Sequence, residues 1–189
     1  MAVQLAPALK TTTRITYEQY RALPEDGYRY EVIEGELLMT AAPLIKHQRV
    51  SGNLQFILET YIRANNWGQL FAAPVEVYLG EEDFAQPDLV CVSRARLGII
   101  MEKNIVGAPD LIVEILSPGT ARIDRVSKMN AYARHRVPHY WMVDPAERTF
   151  EAFEWENGAY RLVAALAEDE TFQPTLFPAL TIRLAELWE

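Results

Sequence analysis

Three residues of the chain have the types and spacing for chemistry at a phosphate: Asp88 in QPDLVCV, Glu114 in PDLIVEILSP and Lys128 in RIDRVSKMNAYARHR. Glu114 interrupts a run, Leu111 to Leu116, that is otherwise Leu, Ile or Val. Such a run predicts a central strand buried on both faces. A carboxylate there is costly unless it is paired, hydrogen-bonded or bound to a metal. Asp88 stands 26 residues earlier, at the entry to a second predicted strand. Two carboxylates from neighbouring strands, with a main-chain carbonyl, suit a hard cation such as Mg²⁺, which keeps several waters and takes few protein ligands. That cation would lower the pKa of a bound water and neutralise charge on phosphoryl oxygens. A plainer reading stands beside this one. Asp88 is also an ordinary strand-entry residue after a proline, and Glu114 has a salt bridge available with Lys128 or an arginine of the next helix.

The elements that must position these groups can be read in order. Residues 1 to 15 lack periodicity and are expected to form a flexible arm. Thr16 and Gln19 have the spacing of a capping box that opens a short helix, closed by Pro24. Tyr28 to Thr40 reads as a hairpin reversing at Glu34-Gly35. From His47 to Asn65, Val50, Leu54, Ile57, Leu58, Tyr61 and Ile62 recur at helical steps. Gly68 to Leu79 reads as a strand, Pro87 to Val92 as another, and Arg94 to Ala108 as a partly helical connection. After the Glu114 strand come a helix over Arg122 to Arg136, a buried strand over His139 to Asp144 and a hairpin around Asn157-Gly158. The core order is therefore helix, three strands, helix, strand. On the second helix, Asp124, Lys128 and Tyr132 share one face, while Val126, Met129 and Ala133 share a different, apolar one. Arg122, Arg125, Arg134 and Arg136 make this helix basic in an acidic chain, and it is the expected phosphate-facing surface.

Bulk properties narrow the function classes. The 189 residues suit a single domain, 1–189, and half of them are hydrophobic. Lys and Arg number 18 and Asp and Glu 26, giving −8, so a nucleic-acid site would have to be local. The lone Cys91 excludes an internal disulfide framework and is expected in the core of a cytoplasmic protein. No run is long enough to span a membrane, and there is no secretory leader pattern. Nucleophile-elbow, P-loop, dinucleotide and HExxH patterns are absent.

A family resemblance adds to this reading. Pro87-Asp88 followed by Glu114, within that core order, resembles the PD-(D/E)XK nuclease superfamily. YEVIEGEL, His47 at the long helix, QPDLVCV, VEILSPGTARIDRVSKMNAYARHRVPHYWMVDP and PALTIRLAELW resemble the bacterial Uma family of proposed restriction endonucleases. The resemblance implies an α/β, restriction-endonuclease-like core with a mixed central sheet, an N-terminal hairpin and a C-terminal β-hairpin extension. It implies a Mg²⁺- or Mn²⁺-dependent endonuclease acting on DNA, with a homodimer as an expected assembly. Metal ligation falls on Asp88, Glu114 and the main-chain carbonyl of Ile115. Where the superfamily pattern places a lysine on the strand, this chain has Leu116, and the matching lysine is Lys128 on the following helix. Glu31 and His47 match further polar positions and are expected at the rim of the site. The alternative from a different class is a nuclease-fold protein that binds or assembles without cutting.

Overall fold

The computed structural model describes residues 9–189 apart from positions 25 and 41. The part of the expected N-terminal arm at residues 1–8 lies outside the described residues. Leu9–Arg14, by contrast, forms a strand, β1, because its backbone pairs antiparallel with Glu36–Thr40. Tyr17–Arg21 is α1, opened by the reciprocal Thr16 and Gln19 capping box. Arg29–Ile33 (β2) and Glu36–Thr40 (β3) make the hairpin read from the sequence. Glu34 and Gly35 turn it with φ of 57° and 76°, a conformation that glycine adopts without a Cβ clash.

Ile45–Asn65 is α2, whose stripe of Val50, Leu54, Leu58 and Ile62 is buried. The stretch read as one strand from Gly68 to Leu79 is two: Gly68–Ala72 (β4) and Val77–Gly80 (β5), placed in different sheets. Between them Pro74 has no N–H to offer a ladder. Asp83–Ala85 (β6) and Leu89–Ser93 (β7) follow, then a 3₁₀ turn at Arg94–Ile99 and Ile105–Val106 (β8). Leu111–Ile115 is β9 and His139–Asp144 is β10. Between them, Ile123–Lys128 winds as a π-helix and continues into Met129–Arg134, α3. The tail carries the hairpin of Thr149–Glu156 (β11) and Ala159–Ala167 (β12), the short pair Thr171–Phe172 (β13) and Ile182–Arg183 (β14), and Ala185–Trp188, α4.

Besides the β13-β14 pair, the described residues form two six-stranded sheets, in the orders β1-β3-β2-β6-β5-β8 and β12-β11-β10-β9-β7-β4. The second is the mixed central sheet. Strand β9 runs parallel to β10 and antiparallel to β7. Both faces of β9 are buried, as its continuous apolar pattern requires. Leu111, Val113 and Ile115 pack with the α2 stripe, whereas Ile112 and the adjoining Leu116 pack with Ala131 and Tyr132. Alternation therefore sends Glu114 toward the π-helix and α3. Each of these large side chains, fully buried, contributes on the order of 1.5–3 kcal/mol, and that packing is what allows the sheet to hold a carboxylate in its interior.

Candidate active site

Antiparallel pairing sets Leu89 against Val113, so in the same register Asp88 stands opposite Glu114. The two carboxylates are linked through backbone: the N–H of Ile115 donates to Asp88 Oδ2 at 2.8 Å. Asp88 Oδ2 is also 3.1 Å from His47 Nε2, and Arg29 Nη1 donates to Asp88 Oδ1 at 3.0 Å. Burial pushes the Asp88 carboxyl up, but the His47 contact, the Arg29 charge and the Ile115 N–H outweigh it and hold the pKa at about 2. Asp88 is thus held as a carboxylate.

Glu114 has the opposite environment. Its Oε1 accepts from the Tyr132 hydroxyl at 2.7 Å and from Lys128 Nζ at 3.0 Å. Burial raises its pKa well above the usual range; Lys128 opposes this, while Asp124, Glu31 and Asp88 add to it. Lys128 Nζ also lies 2.9 Å from Glu31 Oε2 and 3.3 Å from Asp124 Oδ1. Burial disfavours its charge, yet these carboxylates outweigh burial and hold the ammonium protonated. The second oxygen of Glu31, Oε1, accepts the N–H of Gln86 at 2.7 Å.

The structure brings together all the side chains singled out for chemistry: Asp88, Glu114, Lys128, Glu31 and His47. It moves two of them. Glu31 and His47, expected at the rim, are 2% and 9% exposed and sit inside the network. Glu31 alternates with Tyr30 and Val32 on β2, and Lys128 lies against its face of the hairpin. The second helix turns the face shared by Asp124, Lys128 and Tyr132 inward. Asp124 and Lys128 are buried, whereas Val126 is 53% exposed, because paired charges fill the inner face. Nor is the basic surface free for phosphate: Arg125 pairs with Glu151, Arg134 with Asp83 and Glu34, and Arg136 lies 5.9 Å above the Trp155 ring. Ile115, whose carbonyl was expected as a ligand, meets this network through its N–H, which donates to Asp88.

Arg29 and Tyr132 belong to the network and were not singled out as site residues. A signal existed for each. Arg29 is two residues from Glu31 on β2 and so shares its face. Tyr132 is one helical step beyond Lys128 on the same face, and its hydroxyl donates to Glu114. Among the described residues, no group of three or more His, Cys, Asp or Glu side chains is arranged to hold a metal ion. Cys91 is fully buried in the core, as expected.

Comparisons with known proteins bear on the fold and the family. A solved structure titled as a putative nuclease from Anabaena variabilis has a TM-score of 0.77 with 20% identity, covering 92% of this chain and 97% of that one. At that identity the likeness establishes the fold. An uncharacterised protein of Synechocystis sp. is 25% identical over 137 residues, 71% of this chain and 77% of the relative. The model of the Uma2 family, described as "Putative restriction endonuclease", matches residues 17–185. Since that match contains Arg29, Glu31, His47, Asp88, Glu114 and Lys128 together with every element that positions them, the chain belongs to the Uma2 family.

Proposed function

We propose that the chain is a divalent-metal-dependent endonuclease that hydrolyses phosphodiester bonds in DNA, with Asp88 and Glu114 holding Mg²⁺ or Mn²⁺ beside the Ile115 carbonyl. The observation that carries this reading is the opposed pair on β7 and β9: one carboxylate held ionised by its surroundings, the other in contact with a buried lysine. The residues present fit such an ion. Four buried carboxylates, Glu31, Asp88, Glu114 and Asp124, face two side chains of fixed positive charge, Arg29 and Lys128. Asp124 Oδ1 is buried without a hydrogen-bond partner. All-oxygen donors are what a hard divalent ion requires, and its charge would hold Glu114 and Asp124, whose pKa burial raises, in the ionised form. When bound, it supplies Lewis-acid activation of water and neutralisation of phosphoryl charge.

The chain's own groups then have distinct work. Arg29 and His47 orient Asp88, and the Ile115 N–H fixes its remaining freedom. Tyr132 and Lys128 fix Glu114. Glu31 and Asp124 hold the Lys128 ammonium next to Glu114, where its charge opposes the negative charge that builds up in phosphoryl transfer.

The test is cleavage of supercoiled plasmid and of single-stranded DNA with Mg²⁺ or Mn²⁺. Wild type is compared with Glu114→Ala and Lys128→Ala prepared identically. Loss of cleavage in both variants supports the proposal; unchanged cleavage by Glu114→Ala removes it. One observation favours a second reading, a nuclease-fold binding module that does not cut. Asp88, Glu114 and Lys128 are at most 4% exposed, and the three N–H donors of Lys128 already face three carboxylates. Calorimetry with no heat of Mn²⁺ binding would favour the module, and saturable binding abolished by Asp88→Asn would exclude it.

A further inference from the structure

We propose that Lys128 is a resident cation. Its ammonium fills a three-carboxylate cage of Glu31, Glu114 and Asp124 that would otherwise admit a second divalent ion, so the protein takes one such ion and not two. This rests on reading Asp88 and Glu114 as the holders of the first.

The cage draws on three separate parts of the chain. Glu31 comes from β2 in the first sheet, Glu114 from β9 in the second, and Asp124 from the π-helix. Their oxygens stand 2.9, 3.0 and 3.3 Å from Nζ. All three carboxyl groups and the lysine are at most 4% exposed, so water cannot dissipate the charge, and it must be neutralised by a cation or by protonation; in the native protein the Lys128 ammonium is the cation present. A lysine here is compact and tethered, and it cannot dissociate. The third contact is also incomplete. Asp124 Oδ1 is an ion-pair partner at 3.3 Å but has no hydrogen-bond partner, so one buried oxygen aimed into the cage lacks a bonded donor. A divalent ion would draw oxygens to about 2.1 Å, less than about 1.5 Å closer than they now stand to Nζ. As they stand the three carboxylates are not arranged to hold a metal ion; removal of the ammonium leaves them as hard ligands able to close on one, whereas its presence excludes a second ion by position and by charge.

The experiment uses the full chain stripped of metal and titrated with Mn²⁺ alone, free Mn²⁺ being read by electron paramagnetic resonance. Wild type is compared with Lys128→Met, Lys128→Ala and the double variant Lys128→Met with Asp124→Asn. The expected result is one ion in wild type, two in each single variant and one in the double variant. The melting temperature of the single variants should also rise more steeply with Mn²⁺ than that of wild type. If the single variants fold only when Mn²⁺ is present, stoichiometry is read after refolding in Mn²⁺ and gel filtration. The double variant, which loses one cation and one carboxylate together, tests whether folding survives loss of the lysine. Two ions in wild type, or equal stoichiometry in wild type and single variants, overturns the proposal. No ion in wild type and one in the single variants upholds the cage but removes the Asp88 and Glu114 reading. No ion in any of them removes both.

Discussion

Asp88 accepts the main-chain N–H of Ile115 at 2.8 Å, so the residue that follows Glu114 is fastened to the carboxylate opposite it. The same carboxylate compensates the Arg29 guanidinium, whose side chain is 23% exposed. Asp88→Asn keeps the shape and removes the charge, leaving Arg29 uncompensated. We expect a loss of about 2–4 kcal/mol in urea unfolding and at least a 10-fold weaker Mn²⁺ affinity. Adding Arg29→Met should recover part of the stability and none of the affinity, giving a coupling of at least about 1 kcal/mol in a double-mutant cycle.

Tyr132 illustrates how a packing residue can also serve the site. Its ring is fully buried against Tyr140, with centroids 5.2 Å apart, and its hydroxyl reaches Glu114. Tyr132→Phe preserves the ring and removes one donor from a buried carboxylate. Stability should fall by about 1–3 kcal/mol. The aromatic near-ultraviolet circular dichroism should keep its native shape, since the ring packing is retained.

Asp83 gives a pH signature remote from the candidate metal ligands. Its Oδ2 lies 2.7 Å from His135 Nε2 and 2.9 Å from Arg134 Nη2, and its Oδ1 accepts the Glu34 N–H. Burial pushes this carboxyl up, but His135, the Glu34 N–H and Arg134 prevail and bring the pKa from 3.8 to about 2. The native state therefore binds fewer protons than the unfolded chain between those values. The stabilisation is complete above about pH 4 and is lost as pH falls through about 2. After allowance for solvent screening it amounts to about 1–2 kcal/mol. Thermal melts of Asp83→Asn should show a shallower loss of stability over that window than wild type.

Gly68 is fixed by close approach. A Cβ at this position would stand 2.1 Å from the carbonyl oxygen of Val92 and 2.8 Å from the Cα of Ser93, its partner across the β4–β7 pair. Both are backbone atoms and cannot swing aside. Gly68→Ala should cost about 3 kcal/mol or more, read as a lower urea midpoint or as loss of soluble protein. Gly98, where a Cβ meets nothing within 4 Å, should accept alanine with little change.

Cys91 is fully buried on β7, and burial pushes its thiol pKa up. A thiol reagent such as Ellman's should leave the native protein unmodified and titrate one equivalent after denaturation. One equivalent reacting at native conditions would mean that β7 opens on the timescale of the assay.

Most of the core was legible because local pattern and tertiary role coincide there. The apolar run around Glu114 could only be a strand buried on both faces, and the α2 stripe had the helical period. Glu34-Gly35 and Asn157-Gly158 marked their hairpins through turn chemistry, and both pairs have positive φ. Elsewhere long-range pairing outweighed local signals. Leu9–Arg14 has no periodicity of its own and is a strand only because β3 offers it an edge. Gly68 to Leu79 looks continuous until its two halves are seen to serve different sheets. The π-helix follows a different rule. Amphipathic reasoning assigns charge to solvent, and at Asp124 and Lys128 charge neutralises charge in the interior instead. Glu31 was expected only at the rim of the site, since nothing in YRYEVIEGEL announces a partner nearly a hundred residues downstream.

The seat of Lys128 between the two sheets also bears on how such a chain ages. Its ammonium joins β2, β9 and the π-helix through ion pairs, so substitution of Lys128, Glu31 or Glu114 strands buried charge and weakens the joint between the sheets. Selection for a folded chain therefore preserves these residues whether or not selection for cleavage persists. A descendant that had stopped cutting would keep the signature of its ancestor intact. Within this architecture, inactivation is expected to enter through exposed positions that contribute little to folding, while the ionic centre is inherited unchanged.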